Sequence, residues 1–151
     1  MGRLRSIRPV LLAAVLLMPA GSQAAETCPW LNAATAGGLL GGTVTATVTR
    51  DTANRDDAVC TFVRAGAELR IEVQTMNTPA RAAQCVPGPA PLRAIGNEAV
   101  VCTEAGRAQV VGRVRNRNFA IMISAPDGAM PPDALREKAR AAAEHVAGNL
   151  F

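Results

Sequence analysis

The chain has 151 residues, 16 of them Lys or Arg and 12 Asp or Glu, with one Trp, three Phe and no Tyr. Its formal net charge of +4 rests on Arg3, Arg5 and Arg8 at the start; without them thirteen basic residues face twelve acidic ones, about +1. A chain so close to neutrality and so poor in aromatics lacks the basic footprint of a nucleic-acid partner, and none is expected.

Those three arginines form a positive n-region, and Pro9 to Pro19 is an apolar run too short for a membrane span. Gly21-Ser22-Gln23-Ala24 then places small residues at the −3 and −1 positions of a cleavage site. Residues 1–24 are therefore expected to be a secretory signal peptide, cut after Ala24 or alternatively after Ala25, and the protein to be exported, periplasmic or secreted. The 127 residues from 25 to 151 suit one domain around one core. No second long apolar run follows, so no stable membrane span is expected.

All four cysteines, Cys28, Cys60, Cys85 and Cys102, lie in this domain, and an even number in an exported chain reads as two disulfides. Four cysteines allow three connectivities, and spacing alone does not choose among them. No CxxC occurs and no His stands near a Cys, which argues against zinc.

Asn32 can cap a short helix over Ala33 to Leu40, with Leu31 placed to staple onto Ala36. Gly41-Gly42 ends it, and Gly37-Gly38 weaken it, so it must lean on a sheet. Thr43 to Val48 alternates as a first strand, and Arg50 to Asp57 reads as a solvated loop without calcium-loop spacing. Ala58 to Arg64 and Glu68 to Met76 form a hairpin about Ala65-Gly66. Its second arm turns Leu69, Ile71 and Val73 to one face and Arg70, Glu72 and Gln74 to the other. Thr78-Pro79 opens a brief helical or irregular segment through Ala83 to Cys85, and Pro87, Pro89 and Pro91 stiffen the link that follows.

Ile95 to Ser124 is the structural spine, with strands near Ala99–Thr103, Ala108–Arg115 and Asn118–Ser124. Phe119, Ile121 and Ile123 share a face while Ala120 and Met122 keep the other apolar, the pattern of a central strand. A closing helix from about Pro132 to Asn149 carries Leu135, Ala139, Ala142, Val146 and Leu150 on one stripe. Val59-Cys60-Thr61 before Ala65-Gly66 is echoed by Val101-Cys102-Thr103 before Ala105-Gly106. No fixed period supports a repeat, and coincidence is the favoured reading.

Catalytic chemistry is thinly supplied. After the signal there is one Ser (Ser124), one His (His145) and one Lys (Lys138), and a nucleophile needs a base within reach. Asp56 with Asp57, or Glu98 with Glu104, could form an acid–base pair only by converging in a cleft. No enzyme activity, cofactor or metal site is expected. Arg113, Arg115 and Arg117 are the candidate ligand-binding residues: on one strand, alternate positions would align three guanidiniums able to grip an anion. The plainer alternative is a wet sheet face paired with Glu72 and its neighbours. Trp30 beside Cys28 is expected in the core.

The order of Cys28, a short helix ending Leu40-Gly41-Gly42, a Val-Cys-Thr strand, Ile-Gly-Asn-Glu-Ala-Val at 95–100 and an Ala-x-x-Val-Ala-x-x-Leu helix ending at Leu150 has a known likeness. It resembles the small exported domains of unknown function found among bacterial cell-envelope lipoproteins and in mycobacterial extracellular sensor domains. The resemblance spans most of Cys28 to Phe151, and implies helices on one face of an antiparallel sheet, disulfides, and a binding or sensing role. Ala25-Glu26-Thr27 before Cys28 departs from a lipidation box, so no lipid anchor is expected.

The expected fold is α+β: an antiparallel sheet of five to six strands with two main helices on one face and two disulfides. The preferred bridges are Cys28–Cys60, tying the first helix to the hairpin, and Cys85–Cys102, tying the proline link to the spine. The expected function is a non-enzymatic cell-envelope binding or sensing module with an unknown envelope ligand or protein partner. A secreted inhibitor or interaction protein, or a carboxylate-dependent hydrolase of envelope material, is the alternative. The sequence sets no oligomeric state.

Overall fold

A computed structural model describes residues 26–75, 85 and 88–151. The expected signal peptide at 1–24, the segment from Thr78-Pro79 to Ala83, and Pro87 of the proline link lie outside the described residues.

Helix α1 (Ala33–Leu40) forms where its caps dictate: Asn32 is extended, and its side chain accepts from the Thr35 N–H at 2.8 Å. Gly41 takes the left-handed conformation (φ 86°) that closes the last turn. Two cations meet the carbonyls left over there, Arg64 donating to Leu40 at 3.0 Å and Lys138 to Leu39. Leu31 and Ala36, the expected staple, are both buried in the main core.

The strands are β1 (Thr45–Arg50), β2 (Ala58–Arg64), β3 (Ala67–Thr75), β4 (Ala90–Leu92), β5 (Glu98–Glu104), β6 (Arg107–Val114) and β7 (Arg117–Ser124). They build one sheet in the order β1-β2-β3-β7-β6-β5-β4, antiparallel throughout. Two meanders thus start at opposite edges and meet where β3 pairs β7, with Ile71 opposite Ile121. The sheet has seven strands where five to six were expected. The extra one is β4, whose Pro91 reads as link; a proline is tolerated in an edge strand because the missing N–H has no neighbour to serve on the open side.

Both helices cover the same face. Helix α2 (Pro132–Leu150) lies on β5, β6 and β7, and α1 on β2, β3 and α2. Between them and the sheet sit Phe62, Leu69, Ile71, Val73, Val110, Phe119, Ile121 and Ile123, with Leu135, Ala139, Ala142 and Val146 from the predicted α2 stripe. Leu150 is only partly buried at its end, and Trp30 is in the core as expected. Gly112 is fixed by this packing: a Cβ there would stand 2.4 Å from Cζ of Phe119, so the ring lies across β6 only because that position has no side chain. Asn149 at the end of α2 donates to the Trp30 carbonyl at 2.8 Å, joining the two ends of the domain. Among the described residues no helix is long and apolar enough to cross a membrane.

Both preferred disulfides form, Cys28–Cys60 and Cys85–Cys102, with Cα–Cα distances of 5.8 and 5.5 Å. They lie on opposite faces. Cys60 is paired with Ile71 and faces the helices, whereas Cys102 is paired with Gln109 and faces away. The echo between the two Val-Cys-Thr hairpins therefore extends to their two-residue Ala-Gly turns but not to the face each cysteine takes. The β2–β3 hairpin runs inward from one edge and the β5–β6 hairpin inward from the other, so equal parity before the turn turns the side chains to opposite faces.

Candidate functional site

The face away from α1 and α2, free of helices among the described residues, is ordered in cross-strand rows, because residues paired across an antiparallel sheet project to one side. One row runs Pro91–Val100–Val111–Ala120–Glu72 over five adjacent strands. On one flank is the polar row Glu98–Arg113–Asn118–Gln74; on the other is Cys102–Gln109–Met122–Arg70. Cys85 is bonded to Cys102 on this second flank and packs with Val111 against Val100 and Ala120, so the disulfide supports the floor from the side. The result is a groove of about 410 Å³, within the size range of small-molecule sites. At 4.8 Å between strands, its floor is roughly 19 Å long. Val100, Val111 and Ala120 make the floor apolar, and Ala120 keeps it deep by being small.

The polar flank is held by hydrogen bonds. Arg113 donates through Nε to Glu98 at 3.0 Å, and Gln74 donates to Glu72 at 2.6 Å. Glu72 is only 8% exposed, the one buried charged side chain among the described residues, and Arg70 stands 4.0 Å from it. The Ile-Gly-Asn-Glu-Ala-Val segment fixes the backbone beside Arg113. Gly96 takes φ 60° against the Arg113 carbonyl, where a Cβ would approach to 2.5 Å, and Asn97 donates its N–H to that carbonyl at 2.8 Å.

The three arginines do not form a row. Strand β6 stops at Val114, and a two-residue turn of Arg115 and Asn116 leads into β7. Arg113 stays on the helix-free face and lines the groove. Arg115 sits in the turn at φ 52°, its N–H donated to Asn97 Oδ1 at 2.5 Å and its guanidinium 5.6 Å from the Phe151 ring. Arg117 pairs with Val114 and so faces the opposite way, donating to the Asp56 carbonyl at 2.6 Å. A turn without glycine is a weak signal in sequence, and one residue of strand length decides which face Arg117 takes.

The other chemistry-bearing residues are scattered. Glu98 and Glu104 open and close β5, about 20 Å apart by strand rise. Asp57 accepts from the Thr75 N–H at 2.9 Å, so the predicted solvated loop is in part a cap on the end of β3. Asp56 lies beside Arg117 at 4.0 Å. His145 is exposed on α2, Ser124 ends β7, and Lys138 is engaged at α1. Among the described residues no group of three or more His, Cys, Asp or Glu is placed to hold a metal ion. Sequence reasoning missed Pro91, Val100, Val111 and Ala120 as a floor, since nothing local signals which strands become neighbours.

Scans against family models, curated proteins and solved structures each find no match to this chain.

Proposed function

We propose that this chain is an exported, non-enzymatic binding or sensing module of the cell envelope, and that its site is the groove on the helix-free face. The observation that carries this reading is an apolar floor flanked by a cation: Val100, Val111 and Ala120 lie beside Arg113, whose Nε is held by Glu98. Such a groove suits a slender amphipathic molecule, its apolar body along the floor and a carboxylate or phosphate at the Arg113 fork. Two disulfides fit an oxidising compartment, and the resemblance to small exported envelope domains points the same way.

Calorimetric titration with a medium-chain fatty acid and with the alcohol of equal length tests the proposal. The acid should bind more tightly, and Arg113→Ala should weaken it by roughly 10- to 100-fold, the value of a charged hydrogen bond. Ala120→Leu should block both ligands by filling the floor. Failure of both ligands to bind, or binding indifferent to both substitutions, would sink it.

A further inference from the structure

The two edges of the sheet are guarded unequally. Strand β4 closes one edge with three residues, the middle one a proline, and so offers almost nothing to a further strand. Strand β1 closes the other with six residues, Thr-Ala-Thr-Val-Thr-Arg, exposed everywhere but at half-buried Val48. From Thr43 to Thr49 it contains no proline, no charge and no glycine. Proteins usually blunt such an edge with one of these devices. Here the one charge is Arg50 at the strand's end, and the side-chain pattern suits one partner in particular.

The direction of the edge groups follows from the ladder. Asp51 donates its N–H inward to the Asp57 carbonyl at 2.9 Å. Alternation along the strand then turns the N–H and C=O of Arg50, Val48 and Ala46 outward, away from β2. A second β1, brought up antiparallel about a two-fold axis at Thr47, meets these groups in register. Ala46 and Val48 of each copy exchange both bonds, and Arg50 does the same with Val44.

The side chains agree with that register. Thr47 faces Thr47 and Thr45 faces Thr49 on the helix-free side, the threonine pairs that stabilise adjacent strands. Val48 faces Ala46 on the other side. Arg50, the one charge in the strand, lies opposite a valine, and its guanidinium is already turned back onto Glu26 and the Arg55 carbonyl of its own chain. No like charges oppose each other across the seam, and a net charge near +1 beyond the leader sets little repulsion between copies.

We infer that β1 is a self-complementary edge through which two copies of this chain join into one continuous antiparallel sheet, independently of the groove. About seven residues a side is a small interface, so the dimer should dissociate in roughly the micromolar range.

Sedimentation equilibrium over a concentration series tests this with the exported form of the chain. Thr47→Lys sets two ammonium groups face to face at the axis, and Thr47→Glu sets two carboxylates there. Each should raise the dimer dissociation constant by roughly tenfold or more. Thr47 is exposed, so circular dichroism and melting temperature should hold. An equimolar mixture of the two variants should regain the dimer, a rescue that general damage to the fold does not produce. A wild-type chain that stays monomeric to about millimolar concentration overturns the inference, leaving the edge to an extended segment of another protein. A dimer that neither variant weakens, or a mixture that fails to recover, overturns it as well.

Discussion

The two faces of the sheet differ most clearly on β7, where alternate residues belong to alternate worlds. Phe119, Ile121 and Ile123 are at most 1% exposed beneath the helices, while Asn118, Ala120, Met122 and Ser124 line the other side half-exposed. The covered face is closed by long-range packing, and its side chains are large. Among the described residues the face away from α1 and α2 is covered only locally, by the Cys85–Cys102 bridge, and its central row is small. One strand thus serves stability with its odd-numbered residues and leaves the even-numbered ones available for a ligand. A period-two pattern apolar on both sides marks such a strand as central, but it does not say which side a helix will cover.

The largest effect that would test this contrast is truncation on the covered side. Phe119→Ala should cost about 3–5 kcal/mol in denaturant unfolding, whereas Ala120→Ser, next along the chain, should change stability by less than about 0.5 kcal/mol. Comparable losses at the two positions would break the distinction between the faces. The disulfides sharpen it further. Cys28–Cys60 spans 32 residues and Cys85–Cys102 spans 17, for which loop entropy gives about 4 and about 3 kcal/mol. Replacing the first pair by alanine also removes fully buried Cys60 from the core, so the chain should lose its cooperative melt. Replacing the second should leave a folded chain, less stable and with a widened groove, that binds the amphipathic probe poorly. A smaller contrast lies in neighbours on β6. Gly112→Ala pushes a methyl toward Phe119 and should cost about 1–3 kcal/mol, while Arg113→Ala, on the other face, should cost under about 1 kcal/mol. Equal melting temperatures for these two variants would show that the Phe119 ring can move aside freely.

Much of the fold was legible because it is written in local rules. Asn32 and Gly41 bound α1 at the predicted residues, the alternation of β3 and β7 gave their faces, and the preferred cysteine pairing matches the observed bridges. What was not legible depends on neighbours far apart in sequence. Strand β4 is too short and too marked by Pro91 to read as a strand until β5 lies beside it. The groove exists only because Pro91, Val100, Val111, Ala120 and Glu72, spread over fifty residues, come into one row. The arginine face failed for a subtler reason. Val-Arg-Asn-Arg at 114–117 holds no glycine to mark the turn, and the turn falls one residue earlier than the expected strands, ending at Arg115 and resuming at Asn118, place it. That single step leaves Arg113 beside the groove and sends Arg117 to the opposite face.

The meeting of β3 with β7 has a consequence for how the molecule comes to be made. Ile71 cannot gain its partner Ile121 until fifty further residues exist, and Asn149 reaches back 119 positions to Trp30. Neither meander can bury its inner edge alone. The centre of the sheet can therefore be sealed only once β7 has been made, and contacts so distant in sequence slow folding to the millisecond-to-second range.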